Sequence, residues 1–402
     1  MGQTIRKLAV VKEEKPVTLG ELLHGRIREA IEEAIKEELE AVLGAARYER
    51  AASRRGHRNG SRERTLTGPT GPVELKVPRA TVFTSRGPKE WSSKIVPRYE
   101  RRMAEVNEAI VGVYLSGGNT RRVKGALRPL LKGAPLSKSA VSRVVGKLKS
   151  SFEEWRQRSL EGLDVAYVYL DAIALKVRSA GKVVGLPVLV AVAVLTDGEK
   201  QLLSLEVCAS ESYEAWKGFV DDLTSRSLAA PMLTIIDGNA GLRRAIGTAW
   251  PKADVQRCTV HKLRNIERKV PKHALEEIRE DYHRIVYAAS EAKARRAYEA
   301  FERKWSERCS SAVKSLHEAG DELLTFFRYP KAQWKTLRTT NVIERLNEEF
   351  RRRVKTQCSL PSEDSAGVLL FALVASGQIK LRKLDGYSTI SQVLHNRMRL
   401  AA

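Results

Sequence analysis

The sequence predicts an α/β fold: a mixed five-stranded sheet carrying a helical insertion, preceded by a mainly helical region. Three observations carry this reading. Hydrophobic periodicity switches from a helical repeat to a two-residue repeat at Val165. From there, strand-like and helix-like segments follow in the order β-β-β-α-β-α-β-α. Residues 263–335 then break the pattern, being helix-rich, highly charged and poor in strand signals.

The balance of charge points to a polyanionic partner. Of 402 residues, 71 are Lys or Arg and 48 are Asp or Glu, a formal net charge of +23. The chain is also 43% apolar, which excludes a disordered basic tail. The longest apolar run, Val183 to Leu195, contains Gly and Pro and is too short to span a bilayer. The stretch MGQTIRKLAVVKEEKP lacks the features of a secretory signal. Cysteines at 208, 258, 309 and 358 form no C-x-x-C pair, so disulfide scaffolding is not expected and a reducing cytoplasm fits.

Five segments are expected. Residues 1–49 contain a helix from Thr18 to Arg47, with Ile27, Ile31, Ile35, Leu39 and Val42 at helical spacing. That stripe suits packing within its own domain or pairing with a second copy. Residues 50–155 form a DNA-binding region. It opens on ERAASRRGHRNGSRER, where Arg54, Arg55 and Arg58 alternate with small residues, as in an extended arm lying on phosphates. A short hairpin follows, turning around Gly68–Pro72. One helix runs from Met103 to Tyr114, and Asn119-Thr120 caps the next, TRRVKGALRPLLKG, which carries Arg121 and Arg122. Ser137 caps LSKSAVSRVVGKLKSSFEEW, with Val141, Val144, Val145 and Leu148 inward and Lys138, Ser139, Ser142, Arg143 and Lys147 outward. Two helices joined by a short turn with a basic outer face make a helix-turn-helix candidate.

Residues 156–262 hold the sheet. VAYVYLDAIALKVRSAG, KVVGLPVLVAVAVLTDG and EKQLLSLEVCA read as strands joined at Ala180-Gly181 and Asp197-Gly198. PMLTIID and ADVQRC follow, each preceded by a helix. Three meandering antiparallel strands followed by helical crossovers to parallel strands is the ribonuclease H-like arrangement. Residues 263–335 are the insertion. Residues 336–402 supply a last helix, LRTTNVIERLNEEFRRRVK, and a basic tail; Thr340 or Asn341 caps the helix, and Arg351 and Arg352 sit near its end.

Within this order Asp171 lies mid-strand among apolar neighbours, where a charge is costly unless paired or metal-bound. Asp237 ends the fourth strand, and ligands bind at the carboxyl ends of parallel strands. The first and fourth strands are neighbours in this arrangement, so the two acids lie side by side. A third carboxylate would allow two Mg²⁺ (or Mn²⁺) ions to be clamped as in phosphoryl transfer. Glu344, in the first turns of the last helix beside Asn341, is the best third ligand. Glu348, one turn on, and Asp164, at a strand entrance, are the decoys.

The motifs GHRNGSRERTLTGPTGPVELKVPR, LSKSAVSRVVGKL, YLDAIALKVR, IIDGNAGLRRAI, QRCTVHKLRNI and TTNVIERLNEEFRRR stand in one order from Arg50 to Arg353. In that order they resemble the prokaryotic Mutator-type transposases, the group around insertion sequence 256. The resemblance implies an Asp-Asp-Glu triad at Asp171, Asp237 and Glu344 on a ribonuclease H-like core. It implies metal-dependent cleavage and strand transfer at terminal inverted repeats, in a bacterial or archaeal cytoplasm at the nucleoid. Double-stranded DNA is then the partner, and the protein works as a homodimer or higher. Other readings are a nuclease of the same fold without strand transfer, or a DNA-binding regulator that has lost catalysis. The sequence departs from the family in Asp-Gly-Asn, where many members have Asp-Ala-His, and in TQCSLPSEDSAG, which matches the usual continuation only loosely.

Cys258 and His261 form a C-x-x-H pair, half of a zinc site, and no second close pair exists. Zinc is therefore not expected, and the family carries the same pair at the edge of its active site. Lys262 and Arg264, on the same helix, are expected at phosphates. Trp216, Trp305 and Trp334 read as core, with stacking on an unpaired base the alternative for Trp305.

Overall fold

The computed structural model describes residues 18–118, 120–179, 181–355, 360 and 362–393. The expected cap Asn119, the turn residue Ala180, the side chain of Arg121, and residues 356–359 (with Cys358) and 361 after the triple arginine lie outside the described residues. Two compact units are formed: Met1–Tyr114 with Gly118–Val145, and Leu115–Gly117 with Gly146–Ala402.

In the first unit, α1 (Leu19–Leu43) starts at a capping box in which the Thr18 and Glu21 side chains each accept from the other's backbone amide. Its inner stripe packs on a three-stranded antiparallel sheet of β1 (Gly56–Gly68), β2 (Gly71–Thr84) and β3 (Gly87–Glu90). Ile35 meets Val73, Leu75 and Val77, while Leu39 and Leu43 meet Ala80. The expected extended arm is therefore strand β1, paired with β2 from Gly56↔Val82 to Gly68↔Gly71. The region is less helical than its sequence suggests, because short polar residues disguise a long hairpin. Arg54, Arg55 and Arg58 bond within the unit, although Arg54 and Arg55 stay exposed. Arg55 donates to the Leu43 and Ala41 carbonyls, orphans of the C-terminal turn of α1. Arg54 donates to the Gly56 carbonyl at 2.9 Å, and Arg58 pairs with Glu40 at 3.2 Å.

Helices α2 (Ala104–Leu115), α3 (Thr120–Ala126), α4 (Arg128–Leu131) and α5 (Lys138–Gln157) follow. The segment expected as one helix divides at Leu127, because Pro129 has no N–H to continue it. Val106, Ile110, Val123, Leu127, Leu136 and Val141 share one core. The Ser137 hydroxyl accepts from the Ala140 amide at 3.1 Å, as expected of a cap. Lys138, Ser139, Ser142, Arg143 and Lys147 are exposed.

The second unit is built on β4 (Val165–Ser179), β5 (Lys182–Leu195), β6 (Lys200–Val207), β7 (Leu233–Ile236) and β8 (Asp254–Arg257). Their order is β6-β5-β4-β7-β8. The first three are antiparallel, while β7 pairs parallel with β4 and β8 parallel with β7. The first and fourth strands of the sheet are thus neighbours. Helices α6 (Tyr213–Ser225) and α7 (Ala240–Ala249) cover one face, with Trp216, Phe219 and Ile246 against Val168, Leu170 and Ile236.

Strand alternation sends Tyr167, Tyr169 and Asp171 to the other face. There the Tyr167 hydroxyl donates to Gln333 Oε1 at 2.6 Å, and that of Tyr169 to the Thr336 carbonyl at 3.1 Å. Between β8 and that face run α8 (Thr259–Glu267), α9 (Leu275–Val286), α10 (Glu291–Arg308), α11 (Ser310–Ala319) and α12 (Trp334–Leu337). Ile278, Tyr282, Phe301, Trp305 and Leu316 form their own core. The chain continues in α13 (Asn341–Lys355), packed on β4, and α14 (Glu363–Ala375), packed on β6 and β4. The stretch expected as a basic tail thus contains a buried helix. It is apolar all round, with Gly367 giving room to Phe152.

Trp305 is 1% exposed and its indole N–H donates to Asp281 Oδ2 at 3.0 Å, so it is not available to stack on a base. Trp305→Ala should cost about 3–5 kcal/mol in urea unfolding. Trp305→Phe should cost less, and should leave DNA affinity unchanged in a gel-shift titration if the fold survives.

Candidate functional site

The parallel pairing fixes the first two acids. Leu170 is in register with Ile236, so Asp171 and Asp237 follow at neighbouring positions on the carboxyl side. Glu344 lies in the first turn of α13, and Asn347, one turn on, ties that helix to β4 by donating from Nδ2 to Asp171 Oδ2 at 2.7 Å; the ligand atoms of Asp171, Asp237 and Glu344 do not all lie within 4.8 Å of one another.

Each acid has one oxygen held by an uncharged donor. Asn347 holds Asp171, the Asn239 backbone amide holds Asp237 Oδ1 at 2.9 Å, and the Thr340 hydroxyl holds Glu344 Oε1 at 2.7 Å. No Lys, Arg or His lies within 4.0 Å of Asp171 or Asp237 among the described residues. Burial and then the neighbouring Asp237 push the Asp171 carboxyl up to about 7.

Cys258 and His261 border the trio. Cys258, buried at the entrance of α8, accepts from the Thr340 amide at 3.4 Å, and its Sγ lies 3.2 Å from the Thr340 hydroxyl oxygen. Burial pushes its thiol up, but hydrogen bonds from His261 and Thr340 outweigh this and hold it below its usual value. The hydrogen bond with Cys258 raises His261 to about 9 against the opposing effect of burial, with Glu344 and Asp237 adding to the rise. His261 Nδ1 stands 3.5 Å from Glu344 Oε1 as a protonated partner. Ligand atoms of Cys258, His261 and Glu344 lie within 4.8 Å of one another. Sequence spacing did not show this third group for the C-x-x-H pair, because Glu344 arrives from a distant helix.

Both decoys, Asp164 and Glu348, are exposed. Asn341 is exposed at the start of α13, and Thr340 provides the cap carbonyl, accepting from Glu344 N at 2.9 Å. Arg264 and Arg351 are exposed, and Arg352 pairs with Glu349 at 2.5 Å. Lys262 is a correction: it is 2% exposed, donates to the Ser315 carbonyl at 2.8 Å and pairs with Glu318, so no phosphate can reach it. It occupies the inner stripe of an amphipathic helix, which a count of basic residues does not reveal.

Sequence reasoning missed Asn347, Asn239 and Glu211. Asn347 was visible as a lone amide in the buried stripe Ile343, Leu346, Phe350 of α13. Asn239 caps α7, accepting from Leu242 N at 2.9 Å, and donates to Glu211 at 2.9 Å. Burial and then Asp237 raise the Glu211 carboxyl. Gly238, between Asp237 and Asn239, has φ +114°, and a Cβ there would meet the buried Arg257 guanidinium at 2.6 Å.

A site of this geometry can be compared with known proteins. The family described as "Transposase, Mutator family" matches residues 3–381. The chain belongs to that family. Among its Mutator-family relatives, the transposase for insertion sequence element ISRM5 of Rhizobium meliloti is 38% identical over 86% of this chain and 85% of its own length. The transposase for IS256 in transposon Tn4001 of Staphylococcus aureus is 32% identical, covering 82% and 83%. That for IS1081 of Mycobacterium tuberculosis is 30% identical, covering 88% and 84%. No helix among the described residues is long and apolar enough to cross a membrane.

The raised Asp171 acid has a consequence for stability. A free aspartate titrates near 3.9. The folded-state penalty is therefore absent below about pH 4, grows as pH rises, and is complete above about 7. Asp171→Asn should raise the melting temperature of chelator-treated protein by several degrees at pH 8 and much less at pH 5. Equal shifts at both values, measured by calorimetry, would show that Asp171 ionises normally.

Proposed function

We propose that this protein is an Asp-Asp-Glu transposase on a ribonuclease H-like core that binds the terminal inverted repeats of an insertion sequence, cuts there and joins the freed strand to target DNA. One observation supports this above all: Asp171 and Asp237 lie side by side where the β4–β7 pairing ends, with no cation within 4.0 Å of either among the described residues, and the helix that carries Glu344 is tied to Asp171 through Asn347. Relatives over most of the chain are named transposases of insertion sequences.

The residues fit hard divalent cations. Asp171, Asp237 and Glu344 offer carboxylate oxygens, and the buried Asn347 Oδ1 has no hydrogen-bond partner. Two Mg²⁺ or Mn²⁺ ions held by the three acids would polarise the phosphodiester and ease deprotonation of the attacking hydroxyl. Asn347, the Asn239 amide and Thr340 aim one oxygen of each acid. They do so without adding positive charge that would compete for the carboxylates. The His261 imidazolium holds a proton beside Glu344, balancing negative charge on the Cys258 side of the site.

Hydrolysis of one phosphodiester leaves a 3′-hydroxyl. Attack of that hydroxyl on a target phosphodiester forms one P–O bond and breaks another, so joining needs no external energy source. Recognition of the ends is assigned to the helix-turn-helix formed by α3, α4 and α5, whose Lys138, Ser142 and Arg143 are exposed. Arg122 on α3 is exposed as well. Two copies at least would pair the two ends of an element.

Asp171→Asn, Asp237→Asn and Glu344→Gln should each lower cleavage and joining of labelled element ends by several orders of magnitude while leaving end binding intact. Glu348→Gln and Asp164→Asn should stay active. Nicking without joined products would point to a nuclease, and binding alone to a regulator. Full activity of Asp171→Asn would overturn the mechanism.

Arg143→Ala should weaken end binding by about 1–3 kcal/mol if the side chain reads a base edge. In that case the loss falls on element ends and spares random duplex in competition assays. A uniform loss would instead identify a phosphate contact.

A further inference from the structure

A second charged feature of the catalytic unit lies outside the acid cluster. Helix α13 turns Glu344 and Asn347 toward Asp171, while Asn341, Arg345 and Glu349 recur along another of its faces. That second face forms one wall of an open groove of about 510 Å³, closed on the far side by the segment after α14. Lys200, Lys335, Arg345, Lys380 and Arg382 line it. Lys383 does too, but it is answered by Asp197 at 3.6 Å and Glu199 at 3.9 Å. Of the two carboxylates in the groove, Glu349 is paired with Arg352. Lys335, Arg345, Lys380 and Arg382 are exposed and have no carboxylate within 4.0 Å among the described residues.

Four unpaired cations repel one another, an arrangement a polyanion relieves. The dimensions suit a nucleic-acid backbone. From Asn341 to Glu349 the helix rises about 12 Å, the axial rise of three to four phosphates on one strand of B-DNA. The groove is too open and too charged for a small apolar ligand. Because α13 carries both faces, a strand in the groove runs about one helix width, roughly 10 Å, from the acids.

We propose that this groove holds the sugar-phosphate backbone of DNA entering or leaving the catalytic site, with Lys335, Arg345, Lys380 and Arg382 as its phosphate contacts. The assignment rests on the transposase reading and adds a binding surface to it. Its source within the DNA is either the flank of the element end or the target duplex.

The test uses the full chain with Lys335, Arg345, Lys380 and Arg382 changed together to Ala. A second variant, Arg296→Ala with Arg303→Ala, removes exposed cations from α10. All three proteins are titrated with random-sequence duplex at several salt concentrations without divalent metal. Loss of four contacts should flatten the slope of log K against log salt by about 0.9 for each phosphate released. The α10 variant should keep the wild-type slope, and melting temperatures should match because the altered side chains are exposed. An unchanged slope in the groove variant, or an equal loss in the α10 variant, overturns the proposal. So does unchanged DNA affinity with a shift in oligomeric state, which would make the groove a contact between copies.

With Mg²⁺ present, retained nicking of element ends with lost joining would identify target DNA as the occupant. Loss of both would identify the element's own flank. Failure of the groove leaves the effect of Asp171→Asn on cleavage untouched. Wild-type protein that neither binds nor cuts DNA would instead defeat the transposase reading itself.

Discussion

The structure turns on one unfavourable arrangement, the placing of two carboxylates side by side where the parallel pairing of β4 with β7 ends, with no cation within 4.0 Å of either among the described residues. Burial alone disfavours charge on Asp171, and Asp237 adds repulsion. A protein selected for stability alone would place an apolar residue or a basic partner here. Instead the surroundings stiffen the arrangement with neutral groups. Asn347 locks α13 to β4, the Asn239 amide locks the start of α7 to the end of β7, and Thr340 links Glu344 to Cys258. The acids therefore cannot relax apart without breaking the packing of the helices that carry those donors.

Much of the second unit was legible because its pattern is strong and local. The change to two-residue alternation at Val165 announced the strands, and the crossover helices announced the parallel pair. Strand neighbourhood then brings Asp171 beside Asp237. The first unit was harder to read. GHRNGSRERTLTG has no alternation of apolar and polar residues, since only Gly56 and its last three residues are buried, and it reads as an arm. Its strand identity comes from pairing with the well-patterned VELKV of β2, a non-local fact. Helix α14 was missed for the opposite reason, being apolar all round, so that it shows no periodicity to count.

The basic residues show what a net charge can and cannot say. Their excess pointed to a polyanion, but the charge of a side chain does not fix where it goes. Lys262 is buried against Glu318; Arg58 pairs with Glu40, and Arg54 and Arg55, though exposed, donate to carbonyls of their own unit. Arg264, Arg351 and Arg143 remain exposed. On the helices position separates the cases: Lys262 on the inner stripe of α8 finds a partner inside, while Arg264 on the same helix faces solvent.

The buried pair of Lys262 with Glu318 is best understood through its neighbour His261. Arg257, 6% exposed at the end of β8, also pairs with Glu318, at 2.7 Å. One carboxylate from α11 thus fixes the residues on either side of the Cys258–His261 corner. The Lys262–Glu318 pair adds little net stability, because desolvating Lys262 offsets its attraction to the half-exposed Glu318. Its geometric effect is larger. Tyr282 adds a hydrogen bond to the Thr259 carbonyl at 2.7 Å, and the Arg338 carbonyl accepts from the Thr259 amide at 2.9 Å. The start of α8 is therefore clamped from α9, α11 and the turn before α13 together. That clamp gives the helical insertion a direct mechanical bearing on the site. Its core need not touch DNA to matter, since it holds the imidazolium that stands against Glu344.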